Sequence, residues 1–312
     1  MNLSIQLAPK NQHGLLLANP VMTASGTFGY GTEYNHVFDI QKLGAIVCKG
    51  TTLESRDGNP QPRLAETPSG VLNSIGLQNI GVNALIKEKA PLWASWRVPV
   101  IVNIAGETIN EYAKIANKLD GVAGISAVEV NISCPNIKAG GAEFGTNPKS
   151  AAEVTTAVRA ATSLPVLVKL TPNTSDIAEV AIAVAEAGAD AISLINTLKA
   201  MVIDITKRRP LLGSITGGLS GPAIKPVALY MVYEVAGAVE LPIIGCGGIT
   251  TAIDAVEFIM AGASAIQVGT TSFTNPRAPL DVLEGIEEFM KQEGINNLTD
   301  LIGTTRRLDS TT

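Results

Sequence analysis

The chain has 312 residues, 46% of them hydrophobic but only 4% aromatic, with 30 glycines and a formal net charge of −5. That is ample apolar material for one large core, since a single α/β barrel typically takes about 250 residues, and the acidic balance argues against a nucleic-acid surface. Three cysteines without a Cys-x-x-Cys pair exclude a disulfide framework and point to a reducing cytoplasm; they are also too few for an iron–sulfur cluster, which usually takes four thiolates.

Met1 to Gln12 is mixed and polar, without the apolar centre of a signal peptide, and no run of about 18 apolar residues occurs elsewhere. A soluble, cytoplasmic protein is therefore expected. Short apolar runs predict strands at 21–23, 45–49, 100–104, 128–132, 166–170, 191–195, 243–245 and 265–268. Helical periodicity fills 107–119, 147–162, 174–187, 250–261 and 280–292. Thr174 or Ser175 is the expected cap of the third of these helices and Gly188 its stop. Eight strand–helix repeats predict a (β/α)8 TIM barrel, one domain over 1–312, with low aromatic content suiting strands buried on both faces.

Two intervals are too long for a bare crossover. Residues 50–79 contain Gly58-Asn-Pro60 and Thr67-Pro-Ser-Gly70 and read as turns with a hairpin. Residues 196–221 are basic at Lys207-Arg-Arg209 and glycine-rich at Gly217-Gly218. Both follow strands, so both insertions are expected on the C-terminal face of the barrel, where such barrels carry their chemistry.

The carboxyl ends of the predicted strands carry, in order, Ser25-Gly26, Lys49-Gly50, Asn103, Asn131 with Cys134, Lys169, Asn196-Thr197, Gly247-Gly248 and Gly269-Thr270. The last two pairs read either as tight strand-to-helix turns or as a phosphate cup, where glycines admit close backbone N–H groups and a helix N-terminus adds positive potential. Lys49 and Lys169, at buried strand ends, must pair with a carboxylate or bind an anion; a Schiff-base lysine is a further reading. The stretch Glu129-Val-Asn-Ile-Ser-Cys-Pro-Asn136 breaks abruptly at Pro135 and leads into a glycine-bearing segment, with 138–145 the candidate lid. It places an amide and a thiol where a buried strand meets a loop. His13 and His36 lie outside the strand-end set, so Cys134 is the candidate base; Cys48 reads as core and Cys246 as packing.

These residues resemble the class 1 dihydroorotate dehydrogenases over nearly the whole chain. The resemblance is carried by Asn131-Ile-Ser-Cys-Pro-Asn136, Leu72-Asn-Ser-Ile-Gly-Leu-Gln-Asn79, Gly217-Gly-Leu-Ser-Gly-Pro-Ala-Ile-Lys-Pro226 and Gly245-Cys-Gly-Gly-Ile249, in that family's order. It implies an FMN barrel that oxidises (S)-dihydroorotate to orotate in pyrimidine synthesis, a hydride going to flavin N5 and a proton to Cys134. Class 2 members carry a serine there and an N-terminal extension, and the sequence shows neither. Flavin contacts are implied for Ser25, Lys49, Gly50, Asn103, Asn131, Lys169, Ile195, Gly221, Gly247, Gly248, Gly269 and Thr270. Substrate contacts are implied for Lys49, Asn73, Ser74, Ile75, Gly76, Leu77, Asn131, Asn196 and Thr197, and no metal is expected.

Within class 1, Asn196-Thr-Leu-Lys-Ala-Met201 and Gly218-Leu-Ser-Gly221 resemble the 1B branch. That branch implies a homodimeric core with an electron-transfer subunit carrying FAD and a [2Fe-2S] cluster, and NAD⁺ as final acceptor. The absence of a Gly-x-Gly-x-x-Gly fingerprint after a strand agrees with dinucleotide chemistry lying elsewhere. The rivals are a 1A-like fumarate user, another FMN barrel acting on dihydropyrimidines or dihydrouridine, a phosphosugar lyase or isomerase using Lys169, and a non-catalytic ligand-binding barrel.

Overall fold

The computed structural model describes residues 1–133, 135–136 and 142–307. Eight parallel strands form one sheet: β1 Val21–Thr23, β2 Ile46–Val47, β3 Val100–Ile104, β4 Ala127–Asn131, β5 Val166–Lys169, β6 Ala191–Leu194, β7 Ile243–Cys246 and β8 Ala265–Val268. Their order runs β1-β8-β7-β6-β5-β4-β3-β2. The open edge closes where Met22 bridges Ala45 in parallel register, and the Thr23 hydroxyl accepts from Val47 N–H at 3.0 Å. A side chain thus replaces a ladder bond at the seam, and the sheet is a (β/α)8 TIM barrel.

Nearly every strand residue is buried, because helices cover the outer face while side chains fill the interior. The cover comprises α1 Val82–Glu88, α2 Ala90–Trp93, α3 Ile109–Leu119, α4 Pro148–Ala161, α5 Ile177–Glu186, α6 Lys225–Ala238, α7 Ala252–Ala261 and α8 Ala278–Gln292, with a last turn, α9 Thr304–Arg307. The five predicted helices are present; four begin one to three residues later than expected, and α8 begins two residues earlier, at Ala278. The cap of α5 is corrected: Asp176, not Thr174 or Ser175, accepts from Glu179 N–H at 3.0 Å, a carboxylate being the stronger acceptor at a helix start. A small hairpin, Ile5–Gln6 with Leu16–Leu17, lies at the N-terminal end of the barrel, where Asn11 Nδ2 reaches the Ser163 carbonyl and Asp190 just ahead of β5 and β6.

The two long insertions meet. Residues Leu64–Thr67 and Gly70–Asn73 form the expected hairpin, and Gly217–Ser220 pairs with its second strand while Leu198–Ala200 pairs with Gly217–Ser220. One four-stranded antiparallel sheet is therefore built from both excursions across the C-terminal mouth. Among the described residues, no helix is long and apolar enough to cross a membrane.

Candidate active site

Under that sheet lies a cavity of about 880 Å³, within the usual span of roughly 300–1,000 Å³ for a small-molecule or cofactor site. Its walls come from the carboxyl ends of all eight strands. Every described residue singled out above lines it: Ser25 after β1, Lys49 and Gly50 after β2, Asn103 on β3, Asn131 on β4, Lys169 on β5, and Ile195, Asn196 and Thr197 after β6. Gly247 and Gly248 follow β7, Gly269 and Thr270 follow β8, Gly221 precedes α6, and Asn73, Ser74, Ile75, Gly76 and Leu77 descend from the covering sheet. Cys134 lies outside the described residues, as do 138–141 of the segment expected to form a lid.

Polar side chains at one end form a mesh. Asn196 Nδ2 donates to Asn131 Oδ1 at 3.2 Å and to Ser133 Oγ at 2.9 Å, and Asn131 Oδ1 also accepts from Ser133 N–H. Tyr112 holds the same strand end from behind, its hydroxyl donating to the Asn131 carbonyl at 2.6 Å. With its oxygen so occupied, Asn131 keeps an amide N–H pair that no described residue receives. Asn73 Nδ2 donates to the Gly218 carbonyl at 3.2 Å, tying the two insertions together. The turn after it needs positive φ at Gly76 and, less commonly, at Leu77, where φ is 53°. Ser74 Oγ is buried and has no partner among the described residues, an orphaned donor in the cavity wall.

The two lysines differ. Lys49 is half-buried, and no carboxylate lies within 4 Å of it among the described residues. Burial lowers its pKa, with Glu33 pulling upward and Arg63 downward. Lys169 is buried and bonds Gln267 Oε1 at 2.8 Å, with Glu129 Oε1 at 4.0 Å and Cys246 Sγ at 3.9 Å. Burial works against its charge, but the negative charge that Cys246 carries when ionised and the Glu129 carboxylate outweigh burial and raise its pKa, so it stays an ammonium. The bridge foreseen as one alternative and a charge facing the cavity thus coexist on one side chain. Burial pushes the Cys246 thiol up against the pull of Lys169, and burial takes Cys48, inside the barrel, up to about 12.

Opposite the mesh, Gly247 and Gly248 have φ of 126° and 75°. A Cβ on Gly248 would stand 2.7 Å from the backbone nitrogen of Lys225, so the loop after β7 presses directly on the start of α6. Thr270 Oγ1 donates to Ser220 Oγ at 2.9 Å, and Thr271 Oγ1 to the Ile249 carbonyl, lacing the β8 and β7 loops to each other and to the covering sheet. The N-terminus of α6 stands behind these loops, while that of α7 is capped by the Asp254 carboxylate.

Several cavity residues went unforeseen. Glu143 lines it with Oε2 lacking a partner among the described residues, and burial raises its pKa against hydrogen bonds from Thr171 and Asn173 and the charge of Lys199. Arg56 and Glu107 form an ion pair of 2.9 Å in the wall. Asn173 also faces in. Glu129 and Gln267 lie deeper, and a charge inside the apolar run Ala127-Val-Glu-Val130 was the signal that could have found the first of them.

A TIM barrel whose cavity has amides at one end, glycine loops at the other and a buried lysine between them has the setting of an enzyme active site. The comparisons carry this further. The family model described as dihydroorotate dehydrogenase matches residues 8–290. The catalytic subunit of dihydroorotate dehydrogenase B (NAD(+)) from Desulforudis audaxviator is 57% identical over 294 residues, covering 94% of this chain and 96% of that protein. Proteins of the same name from Pelobacter propionicus and Geobacter sulfurreducens are 55% and 52% identical, over 94% and 97% of this chain and 96% and 97% of their own lengths. The chain belongs to the dihydroorotate dehydrogenase family.

Proposed function

We propose that this chain, working as one barrel domain over 1–312, oxidises (S)-dihydroorotate to orotate in pyrimidine synthesis and hands the electrons to a partner subunit that reduces NAD⁺. The observation that carries the reading is the cavity, which gathers in one cleft all the described residues that the family motifs assign to flavin or substrate. The relatives' name supplies dihydroorotate, NAD⁺ and the role of catalytic subunit.

The donor set fits FMN. The positive-φ glycines Gly221, Gly247 and Gly248, together with Gly269 and Thr270, would hold its phosphate, and Lys169, Asn103 and Ser25 its ring. Bound there, FMN supplies the hydride acceptor that no side chain provides. The protein's own contribution is position and proton transfer. Asn73, Asn131 and Asn196 each offer an amide that donates and accepts, matching the alternating N–H and C=O edges of a pyrimidine. Lys49 and the N–H groups of 73–77, with the orphaned Ser74 hydroxyl, receive the carboxylate. Cys134 takes the proton from C5 as its thiolate.

Further from the cavity, FAD and a [2Fe-2S] cluster belong to the partner, since three cysteines and no dinucleotide fingerprint leave this chain unable to hold them. Two copies of the chain would form the core of a heterotetramer in the cytoplasm. The test is optical. The purified chain should be yellow and should bleach on anaerobic addition of dihydroorotate, with NADH appearing when the partner is co-expressed. A chain that takes up no FMN, or whose flavin dihydroorotate leaves oxidised, would refute the proposal.

A further inference from the structure

Beneath the cavity floor, side chains from six of the eight strands join in one buried hydrogen-bonded cluster centred on Glu129, which is wholly inaccessible. Its Oε1 accepts from Asn103 Nδ2 at 2.7 Å, and its Oε2 accepts from Ser193 Oγ at 2.9 Å and from Gln267 Nε2 at 2.6 Å. Gln267 turns its other atom to Lys169, whose ammonium also lies 4.0 Å from Glu129 and 3.9 Å from Cys246. A barrel interior packed with aliphatic side chains would be at least as stable, because a buried ion pair seldom repays its desolvation. Three members of the cluster, Asn103, Lys169 and Cys246, line the cavity; Glu129 does not.

We propose that Glu129 is a positioning residue of the active site: from below the floor it keeps Lys169 an ammonium and fixes the Asn103 amide with its oxygen toward the cavity. The orientation of Asn103 follows from the bond it makes. With Nδ2 donated downward to Glu129, Oδ1 points toward Gly50, where a Cβ would approach it to 3.1 Å. Gln267 acts as the spacer, donating to the carboxylate and accepting from the lysine, so that the two charges stay linked without touching. The titratable groups facing Lys169 are Glu129 on β4, at 4.0 Å, and Cys246 on β7, at 3.9 Å. Without the Glu129 carboxylate, less would oppose the desolvation of Lys169, and its pKa would fall. The inference deepens the flavin reading, since Lys169 and Asn103 are proposed ring contacts, but its test does not need flavin.

The experiment follows acylation of Lys169 by acetic anhydride as a function of pH, read by peptide mass spectrometry on the full-length chain freed of flavin. The unprotonated amine is the reactive form, so labelling tracks the titration. Glu129→Gln, which keeps the shape and removes the charge, should label at least about 10-fold faster than wild type near pH 8.5, the equivalent of one pKa unit. Exposed Lys149 should label alike in both chains, and Glu129→Asp should return toward wild type. If Glu129→Gln does not fold, Gln267→Met decides, since it breaks the relay while conserving the charges and should give a smaller increase. In the flavin-loaded protein, the same change should appear as a new pH dependence of the flavin spectrum. Superimposable Lys169 curves in wild type and in the folded variants, including no labelling in any, would overturn the proposal. Failure of wild type to take up FMN would instead count against the functional reading and leave this comparison standing.

Discussion

Asp254 offers the sharpest test of how the phosphate end of the cavity is built. The residue does not line the cavity, yet one of its oxygens accepts from the backbone N–H and hydroxyl of Thr250 (2.9 and 2.7 Å) and of Thr251 (2.8 and 3.0 Å). The other oxygen accepts from Lys225 Nζ at 2.7 Å. A single carboxylate thus caps α7, shapes the loop after β7 and anchors the start of α6. Asp254→Asn keeps the shape but can present oxygen to one side only. Either the two threonines or Lys225 then face an amide N–H₂, and the ion pair is gone. Hydrogen bonds to a charged group contribute about 1.5–3 kcal/mol each and do not add when they share one acceptor. Lys225 keeps Glu257 at 2.8 Å, so no bare charge is left. A net loss of about 2–3 kcal/mol follows, equivalent to roughly 6 °C in Tm at about 2–4 °C per kcal/mol for a chain of this size class.

The pH dependence has a definite sign. Burial works to raise the Asp254 pKa, but Lys225 and the threonine donors prevail and hold it well below the usual carboxylate range. A depressed carboxylate contributes fully above its unfolded pKa of about 3.9 and loses the contribution as pH falls toward the folded value. Thermal melts of both chains should therefore lie furthest apart near neutrality and converge on acidification below about pH 4. A gap under about 1 °C near pH 7, or one that persists unchanged into acid, would refute the reasoning. The variant should also hold FMN about 10-fold less tightly, or 1.4 kcal/mol, because the loop it loosens carries Gly247 and Gly248.

Three further outcomes are expected. Cys134→Ala should keep FMN and bind orotate while losing most flavin reduction in rapid mixing, Cys134→Ser should retain a slow remnant, and wild-type turnover should rise toward a thiol pKa of about 8.5; full-rate reduction in the alanine variant would remove Cys134 from the chemistry. Gly248→Ala, strained at φ 75° and placing a methyl 2.7 Å from the Lys225 backbone nitrogen, should cost about 1–3 kcal/mol and release flavin on dialysis, with circular dichroism reporting the fold. Iodoacetamide at mildly alkaline pH should leave Cys48 of the native chain unmodified, since burial takes its thiol to about 12; its rapid alkylation, read by peptide mass spectrometry, would contradict that environment.

What the sequence revealed and what it withheld divide along the range of the interaction. The eight strands were legible because each is a local apolar run ending in polar residues or glycines, and a parallel barrel turns all such ends to one face. The covering sheet was not. Its central pairing sets Gly218 against Asn73, 145 residues apart, and strands as short and glycine-rich as these carry no register signal. Helix α6 was missed because its residues are apolar on nearly every side, so no amphipathic stripe marks it, and the 7-residue α1 and 4-residue α2 are too short to show a period.

The same division explains why Lys169 was recognised and its support was not. A lysine at the end of a buried strand is visible from its neighbours alone, whereas Glu129, Ser193 and Gln267 reach it or each other across 40 to 138 residues of chain. The general rule that a buried charge must find a partner still applied to Ala127-Val-Glu-Val130 before any coordinates existed. Applied there, it says that a carboxylate inside a strand of a parallel barrel must meet a cation or donors from other strands, and only Lys49 and Lys169 stand at strand ends to answer it. Lys49 has no carboxylate within 4 Å among the described residues, while Lys169 is the one held. Two lysines of like appearance in the sequence thus differ in the structure: one is held beside a buried glutamate, and the other lines the cavity without a carboxylate partner among the described residues.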